Sequence, residues 1–157
     1  MSSYPMIGKH IAAFEEPDIV FMRLSGPVSA EEGAEMNRLH RELGVGRDHV
    51  FFLVDLKELE GIHPSVRKES GETLKELPLR GAAIYQASFK ARVVAKLIIT
   101  AMNLFRSDDD KAPIEFFDNE AEARDWIEMR RREVGSAAAT VASVASIGNI
   151  GNIENAA

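Results

Sequence analysis

Val50-Phe51-Phe52-Leu53-Val54-Asp55-Leu56 is apolar on both alternating faces, and only Asp55 interrupts it. A strand with one wet face alternates polar and apolar residues. A run like this one suits a central strand covered by other layers on both sides, as in a parallel sheet. Its neighbours agree. Upstream, Ser29 and Glu32 have the spacing of a capping box and open a helix. Met36, Leu39 and Leu43 form the apolar stripe of that helix, and Gly44 and Gly46 end it. Downstream, Leu59 to Pro64 reads as a loop, and Ser65 to Leu77 as a helix with Val66, Leu74 and Leu77 on its apolar side. Gly71 inside that helix costs about 1 kcal/mol relative to Ala. Pro78 stops it, and Ala82 to Gln86 is the next buried strand.

Further out, His10 to Phe14 and Ile19 to Leu24 flank the turn signal Glu15-Glu16-Pro17-Asp18, which predicts a hairpin. A third helix spans about Phe89 to Phe105. At about 100° per residue, Arg92, Lys96, Thr100 and Asn103 fall on one narrow polar stripe. Val93, Val94, Leu97, Ile98, Ala101, Met102, Leu104 and Phe105 cover roughly half the circumference, more than the ~100° an ordinary surface helix buries. Ile99 falls beside the polar stripe. Ile114 to Phe117 is a short strand, followed by a helix capped at Asp118 or Asn119 with Ala123, Trp126 and Ile127 facing inward. The order β-β-α-β-α-β-α-β-α predicts an α/β fold: a mixed, mostly parallel sheet of four to five strands with about four helices. Residues 1–134 form the domain. Residues 135–157, rich in Ala, Ser, Gly, Asn and Ile, read as a low-complexity flexible tail, the alternative being a weak helix over Ala137 to Ile147.

The chain has 157 residues, enough for one domain with a sizeable core. With 19 basic and 25 acidic residues its formal net charge is -6, which argues against a general nucleic-acid binder. It has no cysteine, which excludes disulfides, thiolate metal sites and a thiol nucleophile and fits a reducing cytosol. Met1 to His10 lacks the pattern of a signal peptide, and no segment reaches the roughly 18 apolar residues of a membrane span. A cytoplasmic location follows as the expectation.

Enzyme signatures are missing: no Gly-x-Gly-x-x-Gly, no phosphate-binding Gly-x-x-x-x-Gly-Lys loop, no His-Glu-x-x-His and no Gly-x-Ser-x-Gly. His10, His40, His49 and His63 are scattered, and His40 sits at the edge of the first helix's stripe, where a half-buried structural role is expected. Glu31-Glu32 and Asp108-Asp109-Asp110 lack the spacing of a cation loop. No metal and no cofactor are expected. The loop from Asp55 to Ser65 is the better candidate, because ligands of open α/β sheets bind beyond strand carboxyl ends. Ser65 would lie at a helix N-terminus, which favours an anion or a phosphate, although an ordinary N-cap has the same signature. The surplus apolar face of the third helix has three readings: core, a dimer or partner surface, or a lipid-facing lid with Arg92, Lys96 and Arg106 at anionic headgroups.

Several stretches together resemble the SpoIIAA-like family of the STAS superfamily. Phe116-Phe117-Asp118-Asn119-Glu120-Ala121-Glu122-Ala123-Arg124-Asp125-Trp126-Ile127 is similar to the family's closing strand and helix, Gly81-Ala82-Ala83-Ile84-Tyr85 to its penultimate strand, and Val54-Asp55-Leu56 to the end of its central strand. The resemblance covers about Ile7 to Arg132. It implies a non-catalytic regulatory domain that works by protein–protein interaction with a regulatory partner. In STAS relatives a kinase phosphorylates a Ser in an Asp-Ser-Ser-Gly stretch after the central strand. Ungapped counting puts Ser65 in that place, with His63 for Asp, Pro64 for Ser and Val66 for Gly. The fold's similarity to CRAL-TRIO lipid-binding domains implies the alternative, a carrier or sensor of a small hydrophobic ligand beside the third helix. The candidate residues are therefore Asp55, His63 and Ser65 for an interaction or phosphorylation loop, and Val94, Leu97, Ile98, Ala101, Met102 and Phe105 for a ligand or interface. A homodimer and peripheral membrane contact are compatible with the same helix.

Overall fold

The computed structural model describes residues 5–104 and 106–154. Six strands, β1 (Met6–Ile7), β2 (His10–Glu15), β3 (Ile19–Val28), β4 (Val50–Ile62), β5 (Leu79–Tyr85) and β6 (Ile114–Phe117), form one sheet in sequential order. β1, β2 and β3 pair antiparallel, and β3 through β6 pair parallel. The helices are α1 (Ala30–Gly44), α2 (Pro64–Lys75), α3 (Phe89–Asn103) and α4 (Glu120–Glu154). The mixed α/β architecture is the expected one. The sheet has six strands rather than four or five because the two-residue β1 adds an edge, with Ile7 opposite His10. So short a strand leaves no periodicity to read.

The chain divides into two compact units, 1–127 and 128–157. In the first, side-chain alternation sorts the sheet into two buried faces. Val20, Met22, Phe52, Val54, Ala82 and Ile84 share a core with Met36 of α1, Leu74 of α2 and Ile99 and Met102 of α3. The three crossover helices therefore lie on one face. The opposite face carries Phe51, Leu53 and Ala83, together with the buried Ala123 and Ile127 of α4. Gly81 lies under Trp126, whose ring would stand 3.0 Å from any added Cβ. That close approach explains Gly at this strand position. In the second unit α4 continues as helical backbone to Glu154, so residues 135–154 of the low-complexity segment are helical; 155–157 lie outside the described residues.

Leu59 to Pro64 is not a loop. β4 runs on to Ile62 beside the end of β3, with register shifts between Arg23 and Ser25 and between Gly26 and Pro27. Asp55 sits at the first irregularity. Its Oδ1 accepts the Lys57 N–H at 3.0 Å, and its Oδ2 accepts from Arg23 Nε at 2.9 Å. The carboxylate thus supports the bulge and neutralises the neighbouring guanidinium.

α1 carries the predicted capping box: Ser29 accepts from Glu32 N–H, and Glu32 accepts from Ser29 N–H. The other Glu32 oxygen lies 3.4 Å from Nε2 of the buried His10, tying α1 to β2. Arg106 closes the far end of α2. Its guanidinium donates to the carbonyls of Leu74, Leu77 and Leu79, where a helix leaves acceptors unpaired. It is a structural clamp, not the headgroup ligand suggested by its place after α3.

Candidate functional site

α3 starts at Ser88, whose hydroxyl accepts from Ala91 N–H. Ala91, Ile99 and Met102 are its buried residues, with Ala95 and Ile98 packed partly beside them. The expected orientation is therefore rotated. Ile99, placed by the sequence next to the polar stripe, is in the core. The polar stripe runs beside the β6 edge, with Lys96 and Thr100 exposed and Arg92 and Asn103 half-buried. Arg92 and Lys96 lie over the Phe116 ring at 5.3 and 5.7 Å, and Asn103 bonds both the N–H and the C=O of Ala112 at 3.0 Å. Beside that stripe, apolar residues also stand outward. Phe89 is 84% exposed, Val93 42%, Leu97 57% and Leu104 71%. Their spacing puts all four on the outer face of the helix. α3 has no acidic residue, and Lys90 extends the same outer face.

The predicted α3 set is consequently divided. Leu97 is on the outer face, Val94 lines a surface cleft with Pro64, Arg67 and Lys90, and Ala101 is exposed near the crossing with α2. Met102 is fully buried, and Phe105 lies outside the described residues. Among the described members of the set, only Ile98 lines the cavity beneath the helix.

That cavity, about 110 Å³, lies between the sheet and α1, α2 and α3. Its wall is mostly aliphatic, with Met22, Val54 and Ile84 from the sheet and Val66, Ala95 and Ile98 from the helices. The polar side chains in it are Asn37, His40 and Ser70. Sequence reasoning missed all three. The buried residues of α1 are Gly33, Met36, Asn37 and His40, a stripe with helical spacing that includes two polar residues. Counting apolar positions alone moved the stripe toward Leu39 and Leu43. The available signal was the spacing of Gly33, Asn37 and His40, with Met36, read without regard to polarity. Burial pushes the His40 imidazole down to about 4, so it is neutral at pH 7.

Asp55, His63 and Ser65 do not form one site. Asp55 is buried on the α4 side of the sheet, beside Tyr85, whose hydroxyl is pushed up to about 12 by burial and by the Asp55 charge. His63 follows the end of β4, and seven residues of strand put about 23 Å between Asp55 and Ile62. His63 and Ser65 do meet. Nδ1 of His63 stands 2.7 Å from Ser65 Oγ and accepts the Ser65 N–H at 3.2 Å. This is the geometry of an N-cap, with His63 in the cap position and Pro64 in the first turn. Among the described residues no carboxylate is bonded to the His63 ring to orient it as a base. Ser65 is exposed at the N-terminus of α2.

Among the described residues, no three His, Asp or Glu side chains gather as a metal site, and no helix is long and apolar enough to cross a membrane. Asp108 and Asp110 are instead paired with Lys111 and Arg80.

No protein-family model matches the chain, and no curated protein matches it. Solved structures do. An uncharacterized DUF3478-family protein with a SpoIIAA-like fold, from Shewanella loihica PV-4, matches 80% of this chain and 98% of its own, with 19% identity and a TM-score of 0.55. The anti-sigma factor antagonist SpoIIAA in its unphosphorylated form matches 76% of this chain and 97% of its own, with 14% identity and a TM-score of 0.51. The fold is SpoIIAA-like.

Proposed function

We propose that this chain is a non-catalytic regulatory domain of STAS type that works in the cytosol by binding a partner protein, and that the outer face of α3 is its contact surface. One observation carries the reading: Phe89, Val93, Leu97 and Leu104 stand exposed on one face of a helix that bears Lys90, Arg92 and Lys96 and no acid. Scattered apolar side chains on a surface need no explanation, but an apolar row on one helix face is what a partner groove or helix covers. The basic residues suit a partner with an apolar row flanked by carboxylates. SpoIIAA, which shares the fold, is by name an antagonist of another regulatory protein. The working domain is residues 1–134, with 135–157 as an appendage. Ser65, exposed at the start of α2, is the candidate modification site on this domain, and His63 serves as its cap. Leu97→Glu tests the surface, because Leu97 is largely exposed and its replacement leaves the core untouched. A partner retained in stoichiometric amount by the wild type is lost by the variant. Equal retention by both would contradict the assignment.

The cavity beneath α3 favours a second reading, a carrier or sensor of a small apolar ligand. It is lined by the same helix whose outer face is exposed, so a ligand there could bear on the position of that face. Native mass spectrometry of the full chain supports this reading by a small-molecule adduct on the monomer or dimer, and opposes it by a bare chain mass.

A further inference from the structure

Two side chains of α1 face the cavity with hydrogen-bonding atoms unused. Asn37 is 3% exposed and His40 5%. Asn37 Nδ2 and His40 Nε2 are buried without a hydrogen-bond partner. The two residues are three apart on one helix face. Ser70 Oγ donates to Asn37 Oδ1 at 3.1 Å, which holds the amide with its nitrogen as the free end. Buried polar atoms are normally paired, and an unpaired pair in the wall of an apolar cavity marks the place where a ligand's polar group would sit.

The rest of the wall sets the chemistry. It contains no Lys, Arg, Asp or Glu, so nothing there compensates a charged head. The His40 ring is itself neutral. At about 110 Å³ the cavity approaches the ~150 Å³ of an engineered apolar cavity that takes benzene.

We infer that the cavity binds a small uncharged molecule with an apolar body near the size of a benzene ring and one hydroxyl or carbonyl, which accepts from Asn37 Nδ2 and bonds His40 Nε2. A hydroxyl can accept from the amide and donate to the unprotonated ring nitrogen; a carbonyl can accept from both when Nε2 carries the hydrogen. This inference rests on the carrier reading above and adds the polar end of the ligand to it.

Phenol and toluene test it, since they match in shape and differ by a hydroxyl in place of a methyl. The full chain, labelled at its methionine methyls, is titrated with each. Met22 and Met36 line the cavity and report occupancy. An apolar hole alone prefers toluene. The structure predicts that phenol shifts both methyls and binds at least as tightly as toluene. Asn37→Leu then weakens phenol relative to toluene by about tenfold, the loss of one buried hydrogen bond. If the wild type takes toluene and rejects phenol, the cavity is a ligand site but its polar end is not used, and the inference fails alone. If neither compound shifts the two methyls, the inference and the carrier reading fail together. The wild-type preference decides the matter even if Asn37→Leu does not fold.

Discussion

His40 shows how one side chain can tie stability to pH. Its ring packs 5.2 Å from that of Phe52 and is held near pKa 4 by burial, against an ordinary 6.5. The unfolded chain therefore binds a proton here before the folded chain does. The stabilising contribution is fully present above about pH 6.5 and is lost as pH falls toward 4. Between pH 7 and pH 5 the loss is about 2 kcal/mol from this residue. Denaturant titrations at the two pH values should show that loss in the wild type and a clearly smaller one in His40→Leu. Equal losses would mean that the ring is reached by water. In sequence, His40 is just a polar residue at a helix edge. Its burial is legible only when Gly33, Met36, Asn37 and His40 are taken as one stripe, because position rather than polarity decides which face a helix presents. Asp55 was legible as the one polar residue of the run Val50 to Leu56, but its partner was not, since Arg23 lies on a different strand and meets it only through the parallel pairing of β3 with β4.

At the scale of elements, close helix packing depends on two glycines. A Cβ at Gly33 would lie 2.2 and 2.5 Å from the two methyls of Val66, and one at Gly71 would lie 3.3 Å from Ala101 Cβ. The helix-propensity cost of Gly is thus offset by the approach of α1 to α2 and of α2 to α3. Gly33→Ala gains up to about 1 kcal/mol of helix propensity. It also forces a stiff β-branched side chain aside, at about 1–3 kcal/mol. The overlap is severe, so the variant should be destabilised by about 1–2 kcal/mol in chemical denaturation, and a stabilised variant would show that the helices part without cost. Arg106 makes the complementary test at the C-terminus of α2. Arg106→Met removes the donor from the carbonyls of Leu74, Leu77 and Leu79 and should cost about 2–4 kcal/mol, read in the same way. The surplus apolar character of α3 was legible in its amount but not its direction. Arg92 and Asn103 are half-buried against the Phe116 ring and the Ala112 backbone at the sheet edge, while Lys96 and Thr100 stay exposed, and Val93 and Leu97 stand in solvent beside them.

Over the whole molecule, the topology was the most legible feature. The run Val50 to Leu56 suits a covered strand, and the alternation of elements around it left few ways to connect the pieces. The bulges that carry β4 on to Ile62 were not legible, because Leu59 to Ile62 combines a glycine with a charged residue and reads as a loop until its pairing with Gly26 to Val28 is known. With that extension, the expected Asp55 to Ser65 loop separates into a buried structural carboxylate and an exposed helix cap. The proposed recognition surface is the α3 side of the domain, with an apolar cavity beneath it. On the function proposed above, the outer face of α3 contacts a partner protein. Photocrosslinking from position 97 in living cells tests it most directly, with the exposed Val45 at the end of α1 as the control position. A discrete adduct with a different protein is expected from position 97 and none from position 45. No adduct from position 97, the same adducts from both positions, or a product of twice the chain mass alone would contradict it.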